Sequence, residues 1–122
     1  MKAFFVIGSI YGFLAVALGA FGAHGLEGKV SEKALDAWEK AVKYQMFHTG
    51  ALLATSILLL KENSTALVSA GWLFIVGTLL FSGSLYFYST LGIRSLAMIT
   101  PIGGVVFLIG WVFFGIAVSK LF

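Results

Sequence analysis

The chain has 122 residues, 60% of them hydrophobic and only 11% charged, whereas soluble domains carry about 25% charged residues. A soluble fold this small would leave far too much apolar surface in water, which excludes that class and leaves lipid as the solvent. The absence of cysteine excludes a disulfide framework, a thiolate metal site and thiol redox chemistry, and a net charge of +3 is too small to point to nucleic acid or a polybasic anchor.

The charges are unevenly placed. Eight of the thirteen lie between Glu27 and Lys43, and Lys2, Lys61, Glu62, Arg94 and Lys120 punctuate the remainder. The charge-free stretches run over 3–26, 44–60, 63–93 and 95–119. A membrane-spanning helix needs about 20 mostly apolar residues, so the sequence predicts spans at about 3–23, 44–60, 66–90 and 96–119. Runs such as Phe13-Leu14-Ala15-Val16 and Ile57-Leu58-Leu59-Leu60 do not alternate apolar with polar, which argues against a β-barrel. The expected fold class is an all-α membrane protein: a four-transmembrane-helix bundle with an amphipathic interfacial helix between spans one and two, in a single domain over 1–122.

Span one has the outline of a signal peptide, with Lys2, an apolar core and small residues at Ala20, Gly22 and Ala23. It is read as a retained helix, and the segment beyond it is that of a membrane protein either way. Gly8, Gly12, Ala15, Gly19 and Gly22 recur at steps of 4, 3, 4 and 3, which keeps them on one face. Small residues let helix backbones approach closely in lipid, so this stripe is predicted to pack on other helices. Phe4, Phe13 and Leu14 are predicted to meet lipid or a looser contact.

Residues 31–43 are amphipathic. Leu35, Trp38, Val42 and Met46 share one side, and Glu32, Lys33, Asp36, Glu39, Lys40 and Lys43 the other. Ser31 suits an N-cap, and Asp36–Lys40 and Glu39–Lys43 are acid-before-base pairs four apart. Such a helix suits the headgroup layer with Trp38 at the interface. It can also be the protruding first turns of span two, since 31–60 as one helix measures about 45 Å and exceeds a core of about 30 Å. Any bend is expected at Gly50.

Span three carries Ala70, Gly77 and Ser84, and span four Gly103, Gly110 and Ala117, each set seven apart as in left-handed, coiled-coil-like packing. Pro101, followed by Gly103 and Gly104, predicts a kink in span four, or else a span that starts near the proline.

Candidates for chemistry are few. His24 ends span one and His48 begins span two, so the two are predicted to lie together at the headgroup boundary, where imidazoles can bind metal or relay protons. No HxxxH spacing supports a metal, and His48 shares a face with Tyr44, which suits a hydrogen-bonding belt. Ser82, Ser84, Ser89 and Thr100 lack a nearby base, so no nucleophile-and-base pair can be assembled. The absence of Asp, Glu, Lys or Arg near the middle of any span counts against an ion-coupled transporter.

Several motifs succeed one another along the chain: Gly19-Ala-Phe-Gly-Ala-His-Gly-Leu26, Trp38-Glu-Lys-Ala-Val-Lys-Tyr-Gln-Met46 with His48, Gly71-Trp72, Phe81-Ser-Gly-Ser-Leu-Tyr86, and Thr100-Pro-Ile-Gly-Gly104 with Gly110-Trp111. Together they resemble the small four-span bacterial membrane proteins of domain of unknown function 423, whose vertebrate relatives are called transmembrane protein 256. The resemblance covers essentially the whole chain. It implies a multi-pass protein of the bacterial cytoplasmic membrane and no particular activity. It also implies that His24, Trp38, Tyr44, Gln45 and His48 form one functional neighbourhood, because the family's polar signature residues concentrate there.

The expected function is non-enzymatic, structural or for membrane integrity, with no cofactor or metal. The expected partners are membrane lipid and, beyond it, another copy of the chain or another membrane protein, and not nucleic acid. The alternative is a small oligomeric channel or transporter for an ion or neutral solute, with an enzyme third. Five Lys and Arg residues on the side of 24–43 and 91–95, against three on the other, predict both termini outside.

Overall fold

The computed structural model describes residues 2–122. Among these residues the chain forms four long helices and no strand: α1 (Lys2–Phe21), α2 (Glu32–Lys61), α3 (Thr65–Leu91) and α4 (Thr100–Leu121). The stretches Lys2–Leu26, Thr65–Leu91 and Arg94–Leu121 are long and apolar enough to cross a membrane. α1 packs on α2, α2 on α3, and α3 on α4. At one end of the bundle the Lys61 ammonium lies 4.3 Å from the centre of the Phe122 ring, bringing the ends of α2 and α4 together.

α2 follows the second of the two sequence readings of this segment. Its 30 residues form one helix that runs through Gly50, so 31–43 is not a separate interfacial element. No proline interrupts the segment, and a single buried stripe of Trp38, Ala41, Gln45, His48, Leu52 and Thr55 holds both halves in register. Ser31 caps the start, its hydroxyl accepting from the Ala34 N–H at 3.1 Å.

The small residues of α1 sit against α2. A Cβ at Gly8 would come within 2.6 Å of the Leu53 side chain, at Gly19 within 3.3 Å of Val42, and at Gly22 within 2.5 Å of the Trp38 ring. Gly12 faces the Thr49 methyl more loosely, at 3.6 Å, and Ala15 is buried. Phe13 is 74% exposed and Leu14 also points outward. Phe4 is a correction. It is fully buried, fits the hollow left by the missing side chain of Gly71 on α3, and meets Trp72 edge-on at 5.4 Å. The reason is positional: Phe4 lies four residues before Gly8 and so continues the same inward stripe.

α3 and α4 meet through aromatic rings set into glycine hollows. The Phe107 ring lies against Gly77, and the Phe74 ring against Gly110. Gly103 is tighter still, abutting the backbone of Phe81 itself. α4 begins at Thr100, with Pro101 in its first turn, where a missing N–H leaves no hydrogen bond unmade. The preceding Arg94–Met98 form a 3₁₀ turn, so the α-helix itself starts near the proline, the second of the two sequence readings, and the predicted kink is not needed. At the end of α1, Gly22–Leu26 wind into a wider π-helical turn. Gly28 and Gly92 turn the chain with φ of 80° and 68°, a region that disfavours other residues.

This seam yields a test. A Cβ at Gly103 meets backbone atoms, which cannot swing aside, whereas nothing lies within 4 Å of one at Gly115. Gly103→Ala is expected to destabilise the detergent-solubilised protein by about 1–3 kcal/mol, an overpacking loss. Gly115→Ala should be neutral or slightly stabilising, as alanine is the better helix former. Thermal unfolding of the two variants decides; equal melting temperatures would show that the seam is loose.

Candidate functional site

The polar side chains of the apolar half of α2 point inward. Gln45 is 3% exposed and bridges three helices. Its Nε2 donates to the Tyr11 carbonyl of α1 at 2.8 Å, and its Oε1 accepts from the Tyr86 hydroxyl of α3 at 2.6 Å. The amide orientation is dictated by chemistry, because a backbone carbonyl can only accept. The Tyr11 hydroxyl in turn donates to the Ile75 carbonyl at 3.0 Å. One turn outward, Ser82 donates to the Ala41 carbonyl at 2.7 Å, and the Trp38 indole N–H to the Leu18 carbonyl at 2.8 Å.

His48 ties α2 to α4. The Tyr44 carbonyl lies 2.8 Å from its Nδ1, and the Trp111 indole N–H donates to its Nε2 at 3.0 Å. A carbonyl only accepts and an indole N–H only donates, so this arrangement fixes a neutral ring with its proton on Nδ1. The imidazole stacks on Phe107 with centroids 3.5 Å apart and planes 8° from parallel. With both nitrogens engaged, the ring has no free lone pair for a metal. Among the described residues, no group of three or more His, Cys, Asp or Glu could hold a metal ion.

The remaining hydroxyls on this face are satisfied within the helix. Thr49, Thr55 and Ser56 each donate to the carbonyl four residues back, at 2.7–2.8 Å. Between α3 and α4, Ser84 and Thr100 share a hydrogen bond of 2.6 Å. No buried side-chain nitrogen or oxygen among the described residues lacks a partner.

The structure divides the five residues that the sequence grouped. Trp38 and Gln45 are joined through Tyr86, whose ring meets Trp38 at 4.7 Å. Tyr44 is exposed; its backbone carbonyl bonds His48, and its ring lies nearly parallel to the imidazole with centroids 6.2 Å apart. His24 lies exposed in the π-helical turn and makes none of these bonds.

Two expectations are corrected. His48 is 4% exposed and packs against Phe107 and Trp111, midway along α4, rather than beside His24. It lies about 15 Å along α2 from Trp38, the residue that packs at Gly22 near His24. Trp38 is itself 4% exposed, its indole packed under α1 rather than turned outward.

Sequence reasoning missed Tyr11, Tyr86 and Trp111. The available signal was that a Tyr or Trp inside an apolar span must find a partner for its O–H or N–H.

These features define a helical membrane protein with a polar, internally satisfied interior, and the comparisons give its family. The sequence profile of the family described as Protein of unknown function (DUF423) matches residues 18–104. A UPF0382 membrane protein of Staphylococcus epidermidis is 49% identical over 120 residues, covering 98% of both chains. UPF0382 membrane protein YwdK of Bacillus subtilis is 47% identical over 121 residues, again covering 98% of both. The chain therefore belongs to the DUF423 family. No solved structure gives a significant match.

The Gln45 bridge can be weighed directly. In a double-mutant cycle of Gln45→Leu and Tyr86→Phe, the coupling expected for one interhelical hydrogen bond in a membrane is about 0.6–1.7 kcal/mol. A control cycle pairing Gln45→Leu with Ser9→Ala, whose hydroxyl bonds within its own helix at Phe5, should give a coupling near zero. Equal couplings in the two cycles would remove Gln45 from its place at the centre of the bundle.

Proposed function

We propose that this protein is a non-enzymatic, multi-pass protein of the bacterial cytoplasmic membrane with a structural or membrane-integrity role. In this reading α2 is a fourth span, set at the centre of the bundle. The observation that carries it is the inversion of α2. Gln45, His48, Thr49, Thr55 and Ser56 are buried, while Met46, Phe47, Ile57 and Leu60 are 49–71% exposed. That arrangement fits a helix solvated by hydrocarbon, where polar groups are satisfied inside the protein. It also explains why α2 is less apolar than its neighbours.

The same interior supports a role without chemistry. Its polar groups hold helices together and leave no free nucleophile, base or cation pair for a reaction. The charge asymmetry favours both termini outside, with the outer end of α2 cytoplasmic. The protein would then act by packing with lipid, with another copy of itself or with another membrane protein.

Because the chain has no native cysteine, single cysteines report topology cleanly. With an impermeant maleimide on intact cells, Asn63→Cys is expected to label, and Lys33→Cys only after permeabilisation. Labelling of both under the same condition would show that α2 does not cross. Purified protein in liposomes is expected to give no protein-dependent ion or solute flux. A selective flux would overturn the structural role in favour of the channel or transporter.

A further inference from the structure

We propose that the groove between α2 and α4 seats one ethanolamine-type phospholipid, its acyl chain in the groove and its headgroup on the outer half of α2. The proposal rests on α2 being a span, as argued above.

The groove exists because α4 packs mainly on α3 and meets this part of α2 at His48, through the Trp111 hydrogen bond and the Phe107 stack. It is open, measures about 470 Å³, and runs between Tyr44 and His48 on one side and Gly104, Phe107 and Trp111 on the other, over Phe81. That volume falls in the range of roughly 300–1,000 Å³ of small-molecule sites. Gly104 keeps the wall open: an added Cβ there would meet nothing closer than the Phe81 ring at 3.9 Å. The lining is aromatic and aliphatic, as a hydrocarbon chain requires.

The occupant is argued from the charges at the mouth. Tyr44 and Phe47 continue from the groove into a cleft shared with Lys43, and Tyr44 and Lys43 into one lined by Asp36, Glu39 and Lys40. All four charged residues are exposed. Along α2 the order is therefore carboxylates at Asp36 and Glu39, ammoniums at Lys40 and Lys43, a phenol at Tyr44, then the apolar groove. At 1.5 Å per residue, Glu39 lies about 6 Å and Asp36 about 10 Å outward of Lys43.

An aminophospholipid presents the complementary order from outside inward: ammonium, phosphate, ester, chain. Its phosphate meets Lys43 and Lys40 in charge-assisted hydrogen bonds, and its primary ammonium donates to Glu39 and Asp36. The lysine stems can lie along apolar surface while their charges reach the phosphate. An anionic glycerol headgroup would satisfy the lysines but face two carboxylates. A choline headgroup carries charge but no N–H to donate. The carboxylates and lysines can also pair with each other along the helix, but exposed pairs of that kind hold weakly, so a headgroup can replace them.

The test uses delipidated full-length protein and synthetic lipids with identical chains bearing ethanolamine, choline or glycerol headgroups. Binding is read by native mass spectrometry and by thermal unfolding. The ethanolamine lipid is expected to bind on the order of tenfold more tightly than either other lipid, the factor associated with about one charge-assisted hydrogen bond. Gly104→Leu, which fills the groove, should abolish the thermal gain that lipid gives, and Gly115→Leu should keep it. Should Gly104→Leu fail to fold, the surface double variant Asp36→Asn with Glu39→Gln provides the independent arm. It should shift preference to the glycerol headgroup. Equal binding of all three lipids by the native protein overturns the proposal, as does an unchanged preference in the double variant. Failure of the spanning reading shows separately, in the cysteine labelling.

Discussion

A buried polar group must find its partner within the protein, and the described residues of this bundle obey that constraint throughout. Gln45 is buried, an amide with donors on one side and an acceptor on the other. Its two ends meet α1 and α3. His48 is the corresponding group toward α4. The central helix is thus held to each neighbour by at least one directional bond, and directional bonds fix rotation about the helix axis. Dispersion forces alone specify that rotation poorly, since lipid tails are as apolar as the helices they contact.

Close packing then completes what the hydrogen bonds orient. Gly8, Gly19 and Gly22 bring α1 down onto side chains of α2, and Gly103 brings α4 onto the backbone of α3. Large rings occupy the hollows so produced: Phe4 at Gly71, Phe107 at Gly77, Phe74 at Gly110. The stacked face of His48 on Phe107 joins the two schemes, because the ring that fills the Gly77 hollow also supports the imidazole. Changes at Phe107 therefore bear on both the α3–α4 seam and the α2–α4 hydrogen bond.

Much of the helical architecture was legible in the sequence, because charge-free runs of spanning length leave few alternatives. The outward turn of Phe13 was also legible, since it is off the glycine stripe. What misled was the sense of amphipathicity. Leu35, Trp38, Val42 and Met46 form the apolar side on a helical projection, and the sequence reading laid that side in the headgroup layer although Trp38 on it is buried in the bundle. Here the buried stripe passes through Ala41, Gln45 and His48 instead, leaving Met46 49% exposed. Phe4 was misplaced for a related reason: a large residue was assigned to lipid although it continues a seam of small ones. The partners of Gln45 and His48 were not legible, because Tyr11, Tyr86 and Trp111 are 34, 41 and 63 residues away in sequence and spacing carries no information on them.

The central claim, that α2 presents its polar face to the other helices and its apolar face to lipid, is open to one direct measurement. Single cysteines placed in turn from 44 to 60 can carry a spin label in the reconstituted protein, with accessibility read to oxygen, which partitions into lipid, and to a water-soluble nickel complex. The account predicts oxygen accessibility that peaks at 46, 47, 57 and 60, falls at 45, 48, 52, 55 and 56, and so tracks the 3.6-residue period of a helix. It predicts low nickel accessibility on both faces through the centre of the segment. High nickel accessibility along 45, 48, 52 and 55 would mean that the polar face lines water, and would contradict the account.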